Sequence, residues 1–194
     1  MTSFLGAAPD SEGAQRLYDE DIERDGYVMN LSRAWAHAPD LRTDFGALVE
    51  RAAEGAGLTF RQRGVLISAM ASTLGDSYCA LAWGTRLAGE VGADAAAAVI
   101  AGDDGGLDPT DAALADWARR VVHDPNGTTA ADVDALRAAG LDDAQILAVT
   151  VFVALRMAFA SVNDAVGARP DAELAARAPA EVGAAVAFGR PAAR

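Results

Sequence analysis

Apolar residues recur every three or four positions along most of this sequence, which is the spacing of one face of an α-helix. The clearest case covers residues 65–74, where positions 65, 66, 69, 70 and 74 are apolar. No long segment alternates apolar and polar residues as a half-buried β-strand does. The sequence therefore predicts an all-α protein, a bundle of about eight to ten helices.

Capping residues predict where these helices begin. Thr59 is followed three residues later by Gln62, which is the spacing of a capping box. The other predicted N-cap residues are Asp10 or Ser11, Asp40, Asp76, Asp108, Thr128 or Thr129, and Asp142. The last of them begins the longest predicted helix, about residues 143–166.

Two of the predicted helices have pronounced apolar surfaces. One has a stripe made of Leu41, Phe45, Leu48, Val49 and Ala52. The longest helix is apolar nearly all round over residues 146–159, which predicts a place at the centre of the bundle or at a subunit interface. Arg156 lies inside that segment, so it should meet an acidic partner or reach solvent, because an unpaired buried charge is costly.

The length and the charge limit the classes of protein to consider. The 194 residues suit one domain over 1–194, with a loose terminus at 1–9 and a tail or last helix at 172–194. A net charge of −12 argues against nucleic-acid binding. The sequence start lacks a signal peptide, and the apolar run 146–162 is shorter than the roughly 20 residues of a membrane span. We therefore expect a cytoplasmic protein that binds no membrane.

The only thiol, Cys79, stands at the opening of a predicted helix. The helix N-terminus favours a reactive thiolate, although a lone cysteine is often simply a small buried apolar residue. Asp76, about one turn earlier, opposes the thiolate by its charge. The sequence therefore predicts an ordinary or raised pKa for this thiol, and one cysteine excludes an intramolecular disulfide.

Other side chains near the thiol suggest a pocket. Asp76 is either the N-cap of its helix or a general acid or base. Trp83 and Arg86 share a helix face with Cys79, and with Tyr78 they could line a pocket for an apolar or anionic molecule. Alternatively, Trp83 belongs to the core and Arg86 forms an ion pair. The two histidines, His37 and His123, have no neighbours at metal-ligand spacing, so no metal or cofactor is expected.

Several short motifs occur in an order that resembles the carboxymuconolactone decarboxylase superfamily, most closely its AhpD-like, peroxidase-related branch. These motifs are Gly26-Tyr-Val-x-Asn30, Trp35-Ala-His-Ala-Pro-Asp40, Leu58-Thr-x-Arg-Gln-Arg63, Tyr78-Cys79, and the segments 129–146 and 163–171. The resemblance implies an AhpD-like helical bundle and a homotrimer or homohexamer, in which the apolar helix at 146–159 could contribute to the contact.

The resemblance also implies where a redox site would lie. Redox-active members of the family use a Glu, a Cys-x-x-Cys pair and a His. The second cysteine of that pair corresponds to Cys79, whereas Asp76 replaces the first cysteine, Trp83 the histidine and Gly64 the glutamate. Without a resolving thiol, a sulfenic acid at Cys79 would need an external thiol to regenerate it.

Three functions are compatible with these residues. The first is hydroperoxide reduction through Cys79 with an external thiol as the reductant. The second is a carboxymuconolactone decarboxylase-like lyase, for which Asp76, Arg86, Arg156 and His37 should converge on one pocket. The third is a catalytically degenerate homo-oligomer that binds a small molecule.

Overall fold

The computed structural model describes residues 2–193, and within that range it contains eleven helices and no strand. Eight of the helices have at least seven residues, so the predicted all-α class is confirmed. The helices are α1 (Glu12–Asp25), α2 (Asn30–Trp35), α3 (Pro39–Gly55), α4 (Phe60–Leu74), α5 (Ser77–Val91), α6 (Ala93–Ala101), α7 (Pro109–His123), α8 (Ala130–Ala138), α9 (Asp143–Ala165), α10 (Ala172–Arg177) and α11 (Ala180–Ala185).

Most helices begin at the predicted capping residues. Ser11 accepts a hydrogen bond from the Ala14 amide at 3.1 Å. Capping boxes open α4, α8 and α9, and their N-cap residues are Thr59, Thr129 and Asp142. The prediction for α3 was wrong, because this helix begins at Pro39 and Asp40 lies within its first turn. Proline suits the first helical position, where an amide hydrogen would have no partner.

The centre of the bundle is α4. Its residues 64–71 are all buried, and the helix packs against α5, α6, α7 and α9. The longest helix, α9, packs against α3, α4 and α7 but leaves apolar side chains exposed, among them Leu147, Val151 and Val162. The predicted homotrimer or homohexamer stays a prediction, for which this exposed face offers a contact surface.

The length argument against a membrane span was wrong for α9. This helix has 23 residues and a mean hydropathy of 1.9 over its most apolar 18-residue window, so by length and composition it could cross a membrane. One side of the helix packs into the bundle, where Val149, Phe152 and Val153 are buried, and 33% of that apolar window is buried in all.

The buried face of α3 differs from the predicted stripe in some of its residues, and it includes the charged residue Arg42. Leu41 and Leu48 are exposed, with 60% and 46% of their surface accessible. The inward face instead contains Val49, Ala52 and Ala53, and Arg42 and Phe45 continue it towards the N-terminus of the helix. The rotation of the stripe directs Arg42 towards the same part of the protein as α5 and α9.

The described segments near both ends of the chain contact the bundle. The Phe4 amide donates to the Val166 carbonyl at 2.8 Å. The predicted loose terminus at 1–9 begins with Met1, which lies outside the described residues, and it stays a prediction. The tail forms two short helices, α10 and α11, and Ser77 at the start of α5 donates from its hydroxyl to the Arg190 carbonyl at 2.8 Å. The C-terminal segment therefore covers the beginning of the helix that contains the cysteine.

Candidate active site

A cavity of about 310 Å³ lies between α1, α2, α3, α5 and α9, and Cys79 forms part of its wall. Four arginines line it: Arg24, Arg42, Arg86 and Arg156. Its apolar lining consists of Met29, Leu31, Phe60, Ala82, Trp83 and Phe159. A second cavity, of about 350 Å³, lies under the C-terminal segment, and none of the predicted site residues lines it.

The turn between α4 and α5 positions the thiol. Gly75 ends α4 with a φ of 83°, a left-handed conformation that glycine adopts without strain. Asp76 then caps α5, and its Oδ1 accepts hydrogen bonds from the amides of Tyr78 at 2.9 Å and Cys79 at 3.2 Å. Cys79 therefore lies in the first turn of α5, with only 3% of its surface exposed.

The surroundings of Cys79 keep its thiol protonated. Burial raises the pKa of Cys79 well above its ordinary value, and the carboxylate of Asp76 raises it further. The guanidinium of Arg156 acts in the opposite direction, but it is the smaller influence. The sequence predicted an ordinary or raised pKa, and the structure favours the raised one, with burial as the larger cause and the charge of Asp76 as the second, so the thiol is neutral at pH 7.

The carboxyl group of Asp76 is completely buried and fulfils the capping role. Its Oδ2 atom has no hydrogen-bond partner within residues 2–193. Asp76 is not among the residues that line the cavity, whereas its neighbours Tyr78 and Cys79 are. A role for Asp76 as a general acid or base stays a prediction.

The sequence predicted that Arg156 meets an acidic partner or reaches solvent, and the structure shows a half-buried side chain that lines the cavity. Within the described range no carboxylate lies within ion-pair distance of it. Its Nη2 atom lies 3.7 Å from the Cys79 Sγ, and its guanidinium lies 5.6 Å from the ring centre of Trp83 and 5.1 Å from that of Phe159. Its Nε is buried without a partner. Aromatic rings, rather than a carboxylate, surround this charge.

Sequence reasoning missed Arg42. Its guanidinium lies 5.2 Å from the ring centre of Phe159, the same ring that Arg156 contacts. Burial lowers the pKa of Arg42, and the positive charges of Arg156 and Arg24 lower it further. One signal could have identified it, because Arg42 is three residues before Phe45 and seven before Val49, on one helical stripe.

For Trp83 and Arg86 the sequence left two interpretations open, a pocket lining or a structural role in the core and in an ion pair, and the structure shows features of both. Trp83 is half-buried, lines the cavity and lies 5.8 Å from Phe60, ring centre to ring centre. The guanidinium of Arg86 lies 5.2 Å from the ring centre of Trp83, and its Nη2 is 3.7 Å from the Asp25 carboxylate. Trp83 therefore forms a cavity wall, and Arg86 is both a cavity residue and half of a long ion pair.

Tyr78 contributes one wall of the cavity while its hydroxyl is used in a buried network. The hydroxyl donates a hydrogen bond to Asp171 Oδ2 and accepts one from the Leu31 amide at 3.4 Å. Asp171 also accepts from the Asn30 amide at 2.7 Å. Burial and the neighbouring carboxylate raise the pKa of Tyr78, so the phenol stays neutral. This network joins α5 to the start of α2 and to the cap of α10.

Several residues singled out from the sequence lie elsewhere. His37 and His123 are exposed and do not line the cavity, and the His37 Nε2 contacts the Gly6 carbonyl at 3.2 Å. Gly64, the counterpart of the family's glutamate, packs so closely against α5 that a Cβ would lie 3.2 Å from Leu87 Cδ1. Among residues 2–193, no group of three or more His, Cys, Asp or Glu side chains could hold a metal ion.

Of the four residues named for a lyase, the structure brings only two together. Arg86 and Arg156 line the cavity, whereas Asp76 and His37 do not. The cavity carboxylates are Asp21 and Glu50, and both are engaged, the first by Arg24 at 2.7 Å and the second by Arg63 at 2.6 Å. The predicted acid–base set for a lyase is therefore not assembled.

No family model and no curated protein matches this sequence. The fold, however, matches several solved structures. An uncharacterized peroxidase-related protein with an alkylhydroperoxidase AhpD core, from Ralstonia eutropha JMP134, is 23% identical with a TM-score of 0.78, and the match covers 90% of this chain and 95% of that one. A peroxidase-related protein from Silicibacter sp. TM1040 is 21% identical with a TM-score of 0.76, covering 89% and 94% of the two chains.

A third similar structure is the debrominase Bmp8, solved as a cysteine-to-alanine variant in complex with 2,3,4-tribromopyrrole. It is 15% identical with a TM-score of 0.72, and the match covers 90% of this chain and 97% of that one. Identities this low show the fold alone. The predicted AhpD-like fold is therefore confirmed, and the chain is similar in architecture to peroxidase-related proteins.

Proposed function

We propose that this protein reduces organic hydroperoxides through Cys79, with an external thiol as the electron donor. One observation carries the proposal: Cys79 lines the cavity, and the Arg156 Nη2 lies 3.7 Å from its Sγ. A guanidinium at that distance stabilises a thiolate or a sulfenate relative to the neutral thiol. The AhpD-like architecture, shared with peroxidase-related proteins, supports the same assignment.

The proposed reaction needs no second cysteine in this chain. The Cys79 thiolate attacks one peroxide oxygen, the O–O bond breaks, and the leaving alkoxide takes a proton to become an alcohol. The sulfur loses two electrons and becomes a sulfenic acid. An external thiol condenses with it to a mixed disulfide and water, and a second thiol releases the external disulfide and restores Cys79. The sum is one hydroperoxide and two thiols giving an alcohol, water and one disulfide.

The raised pKa of Cys79 predicts how this activity depends on pH. Only the thiolate attacks, so turnover should rise from neutral to alkaline pH. The test follows the consumption of cumene hydroperoxide with dithiothreitol, using the wild-type protein and Cys79→Ser. Arg137→Gln, which changes only two surface ion pairs, is the control that should keep full activity. Unchanged enzymatic turnover in Cys79→Ser would remove the thiol from the mechanism.

A second candidate, a protein that binds a small molecule without turnover, is favoured by the neutral, buried state of the same thiol. On this alternative, no hydroperoxide is consumed at any pH at which the protein is folded. Ligand binding would then survive Cys79→Ala unchanged. The pH series and this variant separate the two candidates in one set of measurements.

A further inference from the structure

We infer that the cavity holds a small organic acid as its anion, with its carboxylate paired to Arg42 and Arg156 and its apolar body against Trp83 and Phe159. The inference deepens the proposed function, on which it rests for the claim that this acid is a substrate, because it gives the class of hydroperoxide reduced: one that carries a carboxylate. The binding itself requires no turnover and is testable apart from the thiol.

The cavity contains more positive charge than its own carboxylates neutralise. Arg24 pairs with Asp21 at 2.7 Å and Asp25 at 2.8 Å, and Asp25 also lies 3.7 Å from Arg86. The other oxygen of Asp21 accepts from the Met29 amide at 2.9 Å, so this carboxylate is fully used.

Two arginines are left over. Across the described residues, neither Arg42 nor Arg156 has a carboxylate within ion-pair distance. Arg156 makes its one side-chain hydrogen bond to a thiol sulfur, which is a weak acceptor, and its Nε is buried without a partner. The Arg42 guanidinium lies 5.2 Å and the Arg156 guanidinium 5.1 Å from the centre of the Phe159 ring, and both arginines line the cavity.

Keeping two like charges in this position is unfavourable for the empty protein. The pKa of Arg42 is lowered by burial and then by Arg156, so the folded state disfavours the charge on Arg42. Arginine stays protonated nevertheless, because its pKa is so high. An anion would remove the repulsion and supply the missing hydrogen-bond acceptors. The planar guanidinium, with its fork of donors, is the side chain best matched to a carboxylate.

The rest of the cavity selects the body of the anion. Trp83, Phe159 and Phe60 provide aromatic surface, and Phe60 is half exposed at the rim. A volume of about 310 Å³ is at the lower end of the range for ligand sites, roughly 300–1,000 Å³. These features fit a carboxylic acid with a single ring or a short apolar chain, and they do not fit an inorganic anion, which would leave the aromatic wall uncovered.

The test measures binding by calorimetry in the Cys79→Ser background, so that no turnover interferes. Benzoate, phenylacetate and their neutral amides are the probes. We expect at least one carboxylate to bind about tenfold more tightly than its amide, and its affinity to fall as salt is added. Arg42→Gln and Arg156→Gln should each weaken the carboxylate about tenfold without affecting the amide, whereas Arg137→Gln should leave both affinities unchanged.

A stability measurement separates a binding role from a structural one. Because Arg42 and Arg156 repel each other, Arg42→Gln should leave the melting temperature of the empty protein unchanged or raise it. A loss of stability in Arg42→Gln, equal affinity for an acid and its amide, or no binding of any carboxylate probe would each overturn the inference. Carboxylate binding without hydroperoxide reduction would refute only the proposed function. If Cys79 reduces a carboxylated hydroperoxide no faster than it reduces the methyl ester of the same compound, only this inference is refuted.

Discussion

Replacing Asp76 by asparagine separates the two effects that its carboxylate has on the site. As the N-cap of α5, Asp76 accepts hydrogen bonds from the Tyr78 and Cys79 amides through Oδ1. As a buried negative charge, it raises the pKa of the Cys79 thiol. Asparagine keeps an oxygen for the two amides and removes the charge. Asp76→Asn should therefore activate the thiol without disrupting the helix.

The stability part of this prediction follows from the capping bonds. Asn and Asp are about equally good N-cap residues, so Asp76→Asn should change the unfolding free energy by only a few tenths of a kcal/mol. Asp76→Ala loses both bonds and should cost about 1 kcal/mol. In a chain of 194 residues, this corresponds to a drop of about 2–4 °C in melting temperature.

The thiol part follows from the charge. The thiolate fraction rises tenfold for each unit by which the thiol pKa falls, as long as the pH is below that pKa. Removing the like charge of a buried neighbour lowers the pKa of the thiol, so alkylation at pH 7.5 should accelerate about tenfold. In wild type, the rate should climb only above the ordinary thiol range, and in Asp76→Asn the climb should begin at lower pH.

The assay is the second-order rate of iodoacetamide alkylation, followed by intact-protein mass spectrometry across neutral and alkaline pH. Asp142→Asn is the matched control, because Asp142 caps α9 through the same kind of bond, to the Gln145 amide at 2.8 Å, and does not line the cavity. The reasoning is refuted if Asp76→Asn is folded and its rate–pH curve coincides with that of wild type.

Two further predictions concern stability. Tyr78→Phe removes the donor to buried Asp171 Oδ2 and should cost about 1–3 kcal/mol in urea unfolding, and an unchanged midpoint would contradict the role of this network. Burial and the charge of Asp76 raise the pKa of Asp164 from 3.8 to about 6, so the folded state favours its neutral form. That stabilisation is complete below pH 3.8 and is lost as the pH rises through 6. The melting temperature of Asp164→Asn should therefore rise relative to that of wild type as the pH increases from about 4 to 7. A difference in melting temperature that stays constant over this range would show that Asp164 titrates normally.

The helix boundaries were predictable because they are local. A side chain such as Thr59 or Asp142 caps a helix by bonding to an amide three residues later, so the sequence contains both partners. The error at Asp40 was also local, since Pro39 can occupy the first helical position itself. The AhpD-like architecture was predicted from the order of motifs such as Tyr78-Cys79, which resembles that of a known family, and not from energetics.

The cavity was less predictable because tertiary packing creates it. Arg42 comes from α3 and Arg156 from α9, and nothing in the spacing of either helix reveals that both lie against one Phe159 ring. Of the two environments expected for Arg156, an acidic partner or solvent, the structure shows a half-buried side chain without a carboxylate at ion-pair distance among residues 2–193. A guanidinium is weakly hydrated and can lie on aromatic faces, so its burial needs a carboxylate less than the burial of a lysine would.

The charges of the cavity connect the two proposals. The reduction of a hydroperoxide that carries a carboxylate places two negative charges in the cavity. These are the thiolate of Cys79 and the carboxylate of the substrate. Two positive charges, Arg42 and Arg156, have no carboxylate within ion-pair distance among residues 2–193. Arg156 also contacts the sulfur, so it serves both negative charges, whereas Arg42 serves the carboxylate alone. Arg42→Gln should then raise KM for a carboxylated hydroperoxide more than it lowers kcat, whereas Arg156→Gln should reduce kcat as well, because only Arg156 stabilises the thiolate.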